Sequence, residues 1–252
     1  MHHQIDSLVY LNRLRYLPPS EKLLFTIMLF LLSYLGGRFV QIILIIWLFI
    51  WIVVYAGIPW RFYLQLLTIP LGFGMVSLPA IALEIVWSDN LVPINFYFSP
   101  SGLIQGAELL LRAITVSSSM YFLLLTTPLI EILEVLAKLG CPSLILELLA
   151  LMYRFIAILT ETASNLLLAQ QSRGGYSRRS RIITSLGLLV TQLFKQSLEN
   201  YRQIVLGLNS RGFTGKLRFW QPIPYKSNLR YTLEALLGYS CLVFYAILKK
   251  SG

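Results

Sequence analysis

Long uncharged apolar runs alternate along this chain with short breaks rich in glycine, proline or basic residues, and the breaks divide it into helices. Leu23 to Leu35 and Phe39 to Ile58 are the first two runs, with Gly36-Gly37-Arg38 between them. The first is shorter than the roughly 20 residues that cross a bilayer at about 1.5 Å each, so it must borrow from Lys22 and the Gly-Gly corner. Pro18-Pro19-Ser20-Glu21 gives its start signal, with Ser20 as candidate N-cap. Pro59-Trp60-Arg61 predicts an interfacial turn before a third run, Phe62 to about Val86, which contains Pro70, Gly72, Gly74 and Pro79. Those residues predict a bend and a close helix neighbour, serving either a kinked packing helix or a sliding span. Residues 87–102 carry aromatics and prolines but no Lys or Arg, which places them outside by the positive-inside bias. Leu103 to Leu125 is the fourth run.

From Thr126-Thr127-Pro128 the pattern changes. Leu129 to Leu139 is amphipathic, too short to span, and stops at Gly140-Cys141-Pro142, which predicts a helix lying on the membrane surface. From Ser143 to about Gln171, Leu144, Leu148, Leu151, Phe155 and Leu159 recur at steps of four and three. Glu147 and Arg154 fall on about the same face, so this helix reads as partly embedded at the cytoplasmic side rather than as a further span. A second long helix, from about Ile182 to Ser210, carries a stripe through Val190, Phe194, Leu198, Tyr201, Val205 and Leu208. Leu229 to Leu248 is long enough to cross. The expected class is an all-α polytopic membrane protein with about five transmembrane helices and long coupling helices. Its expected divisions are a membrane domain over 1–127, a cytoplasmic coupling domain over 128–228, and a final transmembrane helix with the C-terminus over 229–252.

Composition supports the membrane assignment: 56% of residues are hydrophobic, 13% are charged, and mean hydropathy is +0.69. The net charge of +10 is concentrated, since residues 128–228 hold twelve Lys or Arg against five acids. Hydrophobic spans flank this basic segment and leucine-rich helices interrupt it, so it orients the chain in the membrane and does not argue for nucleic acid. Cys141 and Cys241 form no CxxC pair and read as apolar fillers, while His2 and His3 cannot build a metal cage. The polar, basic start lacks a cleavable signal, so the first span is expected to stay in the mature protein.

The chain has no GxxxxGK[ST] loop for nucleotide and no GxSxG or HExxH motif, so neither an enzyme nor a resident cofactor is expected. Glu108 and Arg112 stand at i,i+4 in the fourth run, a spacing that predicts an ion pair fixing the bundle or, alternatively, a polar group in a transport cavity. The sharpest signal is a repeat. Ser172-Arg173-Gly174 and Ser210-Arg211-Gly212 each close a long helical pattern, thirty-eight positions apart. An arginine there suits the helix dipole, and its planar fork of donors also suits carboxylates or carbonyls on a partner.

These pieces, taken in order, resemble the transmembrane T component of energy-coupling factor (ECF) transporters, the EcfT/CbiQ family. The resemblance runs through Pro18-Pro-Ser-Glu-Lys-Leu-Leu24, Arg112, Leu124-Leu-Thr-Thr-Pro128, Leu136-Ala-Lys-Leu-Gly-Cys-Pro142, Met152-Tyr-Arg-Phe155 and both arginine motifs. It implies a non-catalytic subunit whose motifs insert into grooves of two ATP-binding-cassette ATPase subunits. It also implies a small membrane-embedded substrate-binding subunit as partner, cobalt, nickel or a vitamin as cargo, and a coupling domain facing the cytoplasm. The family's commoner motif is Ala-Arg-Gly, from which Ser172 and Ser210 depart at the first position. On this reading closure of the ATPases moves Arg173 and Arg211 together. A self-sufficient secondary transporter or channel would instead need polar residues converging at mid-membrane, where only Glu84, Glu108 and Arg112 are candidates. A membrane scaffold without transport is the third reading.

Overall fold

The computed structural model describes residues 8–86, 95–98, 100–212, 225 and 229–251. The chain divides into two compact units, Met1–Ile132 with Ile223–Gly252, and Leu133–Pro222. The helices are α1 (Pro19–Leu35), α2 (Arg38–Ile50, continuing as a π turn over Trp51–Tyr55), α3 (Trp60–Ala82), α4 (Pro100–Thr126), α5 (Leu129–Lys138), α6 (Ser143–Ser172), α7 (Arg179–Ser210) and α8 (Leu229–Ser251). Among the described residues, four segments are long and apolar enough to cross a membrane: Arg38–Tyr55, Trp60–Ile81, Ser101–Thr126 and Ser143–Ser172. The all-α polytopic membrane class is borne out. α6 meets the span criterion despite Glu147 and Arg154, which had set it aside in the sequence.

Two boundaries differ from expectation. Pro18 occupies the N-cap position of α1 and Pro19 opens the helix, so Ser20 lies inside the first turn and caps nothing. Proline suits that position because the first amides of a helix have no carbonyl partner to lose. The third run does not reach Val86 as helix. It leaves the helix after Ala82, and Leu83–Val86 pairs antiparallel with Asn95–Phe98 in a two-stranded ribbon, Glu84 opposite Tyr97. Ile85, Val86, Phe96, Tyr97 and Phe98 are β-branched or aromatic residues that favour strands. Most of the loop expected outside falls beyond the described residues.

The first unit closes around aromatic rings. Phe25 of α1 lies 5.0 Å from Trp51 and 5.4 Å from Phe122, and Trp51 lies 6.3 Å from Tyr231 of α8, mostly edge-to-face or tilted, geometries that ring quadrupoles favour. Gly238 of α8 sits so close to Trp47 that a Cβ there would come within 2.4 Å of the indole. Between α3 and α4 the fit is reciprocal: Leu110 fills the space over Gly74, and Leu78 fills the space over Gly106. Tyr63 donates to Ser118 Oγ at 2.9 Å and Tyr121 to the Leu66 carbonyl at 3.1 Å, so the same pair of helices is also joined by buried polar contacts. The glycines expected to admit a close neighbour therefore do so at Gly74, whereas nothing lies within 4 Å of a Cβ on Gly72.

At the far end of α4 the chain solves a different problem. The last carbonyls of a helix have no intrahelical donor, and lipid offers none. Lys22 donates Nζ to the Thr126 carbonyl at 2.9 Å, and Asn12 Nδ2 reaches the Leu125 and Thr126 carbonyls at 3.2 and 3.3 Å. Lys22, Asn12, Thr126 and Thr127 are all buried, and so is Glu131 in the first turn of α5, whose carboxyl acts electrostatically on Lys22. Two stretches that carried the family resemblance, 18–24 and 124–128, thus meet in one polar node.

Gly74→Val and Gly106→Val should each lower the thermal midpoint in detergent, by an amount corresponding to about 1–3 kcal/mol of overpacking, while Gly72→Val leaves it within error. Lys22→Met should cost about 1–3 kcal/mol by stranding the Thr126 carbonyl, against no change for Leu24→Met on the exposed side of the same helix.

Candidate functional site

The second unit presents the repeated motif. α6 ends at Ser172, Arg173 takes the cap position with φ −88° and ψ 8°, and Gly174 turns left-handed with φ +71°. α7 ends in the same way at Ser210, with Arg211 at φ −95° and ψ 11° and Gly212 at φ +67°. The Gly174 amide donates to the Gln171 carbonyl at 3.0 Å, and the Gly212 amide to Asn209 at 3.1 Å. At the first tip the Gly175 amide also reaches the Gln170 carbonyl at 2.9 Å, completing a Schellman cap. The motif therefore has a local cause: only glycine enters the left-handed region without penalty, and it leaves the preceding arginine at the extreme end of each helix.

Each serine folds its hydroxyl back onto its own helix. Ser172 Oγ donates to the Leu168 and Ala169 carbonyls, both at 3.0 Å, and Ser210 Oγ to the Gly207 carbonyl at 3.0 Å. Arg173 and Arg211 are exposed, and neither guanidinium has a hydrogen bond or ion pair among the described residues. Both tips border α7, one at each end. The first tip packs beside Ser185 and the second ends the helix at Arg211, so roughly 39 Å of helix axis separates them at about 1.5 Å per residue.

The link between α6 and α7 is braced by contacts that sequence reading missed. Gln170 Nε2 donates to the Ser185 carbonyl at 3.1 Å, Tyr176 donates to Gln170 Oε1 at 2.8 Å, and Ser185 Oγ donates to the Gly175 carbonyl at 2.9 Å. A Cβ on Gly175 would come within 2.8 Å of Ser185 Oγ, so this glycine is required by close approach. The available signal was a pair of polar positions, Gln170 and Ser185, flanking a short glycine-containing link. The amphipathic helix α5 also ends in a Schellman cap, with Gly140 at φ +90° and the Cys141 amide on the Leu136 carbonyl at 3.1 Å. Lys138 pairs with Glu134 on that helix at 3.1 Å.

The ion pair expected between Glu108 and Arg112 does not form. Glu108 pairs with Arg38, the first residue of α2, and both side chains are exposed. The Arg112 guanidinium lies over the Tyr34 ring, 5.5 Å from its centroid. The i,i+4 spacing permits a pair on one helix, but the α1–α2 corner brings a tyrosine and a second arginine against α4, and these take the two charges separately. The carboxylate–arginine contact thus belongs to a helix corner, which fits bundle fixing rather than mid-membrane transport chemistry. Side-chain placement at Glu84 lies outside the described residues.

With this geometry, the likeness to known proteins covers the whole arrangement. Residues 12–220 match the family of the cobalt transport protein CbiQ, a stretch that includes the polar node and both Ser-Arg-Gly tips. An uncharacterized protein of Methanocaldococcus jannaschii is 29% identical over 99% of this chain and 94% of its own length. The cobalt transport protein CbiQ of Rhodobacter capsulatus is 29% identical over 69% of each chain, and that of Salmonella typhimurium is 24% identical over 84% of this chain and 97% of its own. The chain belongs to the CbiQ family of cobalt transport proteins.

Proposed function

We propose that this chain is the membrane coupling subunit of an energy-coupling-factor importer, with the Ser172-Arg173-Gly174 and Ser210-Arg211-Gly212 tips docked in grooves of two ATP-binding-cassette ATPases. The observation that carries this reading is the matching cap geometry at the C-termini of α6 and α7, each presenting an exposed arginine whose guanidinium meets no partner among the described residues. Two equal keys suit two equal locks. The inward-turned serine hydroxyls leave each tip with the outward chemistry of the commoner alanine, which supports docking despite that departure.

The membrane domain over 1–127 and the last helix hold the subunit in the cell membrane, and the segment over 128–228 transmits motion on the cytoplasmic side, where its excess of Lys and Arg belongs. A small substrate-binding membrane subunit is the second partner. The apolar positions Leu144, Leu148, Met152 and Ile156 along α6 are exposed in the chain by itself, as a surface that meets lipid or a membrane partner would be. The names of the relatives favour cobalt as cargo, with other transition-metal ions and vitamins as alternatives.

A continuous helix joining both tips restricts the motion. ATPase closure cannot draw Arg173 toward Arg211 without bending α7, so the displacement passes instead as a swing of the whole helix. Hydrolysis belongs to the ATPases, and this chain carries the stroke.

The R173E/R211E double variant should insert in membranes at the wild-type level and lose ATP-dependent uptake of the cargo, with each single change giving an intermediate or complete loss. Uptake at the wild-type rate in the double variant overturns the docking assignment, and uptake by the chain alone in vesicles lacking ATP supports a secondary transporter instead.

A further inference from the structure

Helix dipoles favour anions at N-termini and cations at C-termini. Arg173 at the end of α6 obeys that preference, but the start of α7 violates it. Arg178 is its N-cap residue, Arg179 and Arg181 follow in the first turn, and that turn contains no acid. Nor does any carboxylate lie nearby in sequence: between Glu161 and Glu199 there is no Asp or Glu, against five Lys or Arg. Local stability therefore does not explain these arginines, and Arg181 adds repulsion to a corner that already holds Arg173.

The fold places one of them, Arg181, around one cavity with Arg173. A cleft of about 270 Å³ is lined by Arg173, Gly174, Gly175, Arg181, Thr184 and Ser185. Its floor is fixed by the Gln170–Ser185, Tyr176–Gln170 and Ser185–Gly175 hydrogen bonds, so the two arginines are carried on a braced corner. Arg173 and Arg181 are both exposed, and neither guanidinium has a partner among the described residues.

We infer that Arg181 is a second docking residue of the first tip, and that the cleft between it and Arg173 receives a carboxylate side chain of the ATPase subunit. This rests on the docking reading above and makes the two tips unequal: the first is a two-arginine clamp, whereas the described part of the second offers Arg211 alone. A carboxylate held between two guanidinium forks gains charge-assisted bonds from both and removes the repulsion at the start of α7. A braced cleft of this size fits a single side chain entering from a folded partner.

The test uses the full chain with an affinity tag, purified in mild detergent from cells expressing it with its ATPase subunits, and reads ATPase retained per chain at rising NaCl. Arg181→Gln is expected to lose about fivefold or more of the retained ATPase at roughly 0.15 M salt, and Arg181→Lys to keep most of it. Lys195→Gln, on the same helix but away from the cleft, should match wild type. If Arg181→Gln retains the ATPases fully while Arg173→Gln loses them, the clamp is wrong and the docking reading stands. Full retention by the R173E/R211E protein overturns both. Phosphatidylglycerol co-purifying with each protein separates the other source of negative charge: if Arg181→Gln sheds this lipid and keeps the ATPases, the cleft holds a lipid headgroup and the carboxylate assignment fails.

Discussion

Every helix that ends in an apolar medium leaves carbonyls that must find donors, and this chain is built around how it meets that demand. In the membrane unit the donors come from elsewhere in sequence: Lys22 and Asn12 close the end of α4, and in doing so bind the N-terminal arm and α1 to the point where the chain enters α5. In the second unit the donors are local. α5 and α6 end in Schellman caps, and α7 ends in the same Arg-Gly geometry as α6, so their tips need no neighbour to be complete. The first solution fixes a bundle, and the second leaves the helix ends exposed.

That difference explains why the arginines are available. Charges near the membrane bundle are absorbed: Arg38 by Glu108, Arg112 by the face of Tyr34, Arg230 by Glu234 at 2.9 Å. Arg173 and Arg211 stand where the caps need no side chain, and the continuous helix between them makes them two ends of one body. A helix of this length resists shortening, because compressing α7 would break its backbone ladder.

Most of the helices were legible in the sequence because the apolar runs are long and their breaks are glycine, proline or charge. The Ser-Arg-Gly tips were legible for the same reason, since repetition at a helix end is a local signal. What was not legible depended on contacts across helices. The Glu108–Arg112 spacing described one helix face and could not register that Arg38 and Tyr34 arrive from the α1–α2 corner. Ser20 had the chemistry of an N-cap, but Pro18-Pro19 had already fixed the start two residues earlier. The helix end at Ala82 was hidden because apolar strand and apolar helix look alike over four residues. Gln170, Tyr176 and Ser185 carry no motif, and only the folded corner shows that they brace it.

The proposed coupling depends on two tips of one chain engaging two ATPases at once. The most direct measurement is photo-crosslinking in the intact complex with a benzophenone amino acid at position 172, at 210, or at both, followed by mass determination of the adducts. Each single position is predicted to attach one ATPase subunit, and the doubly substituted chain to carry two. Adducts from both positions on the same ATPase copy, or none to an ATPase from either, would contradict it.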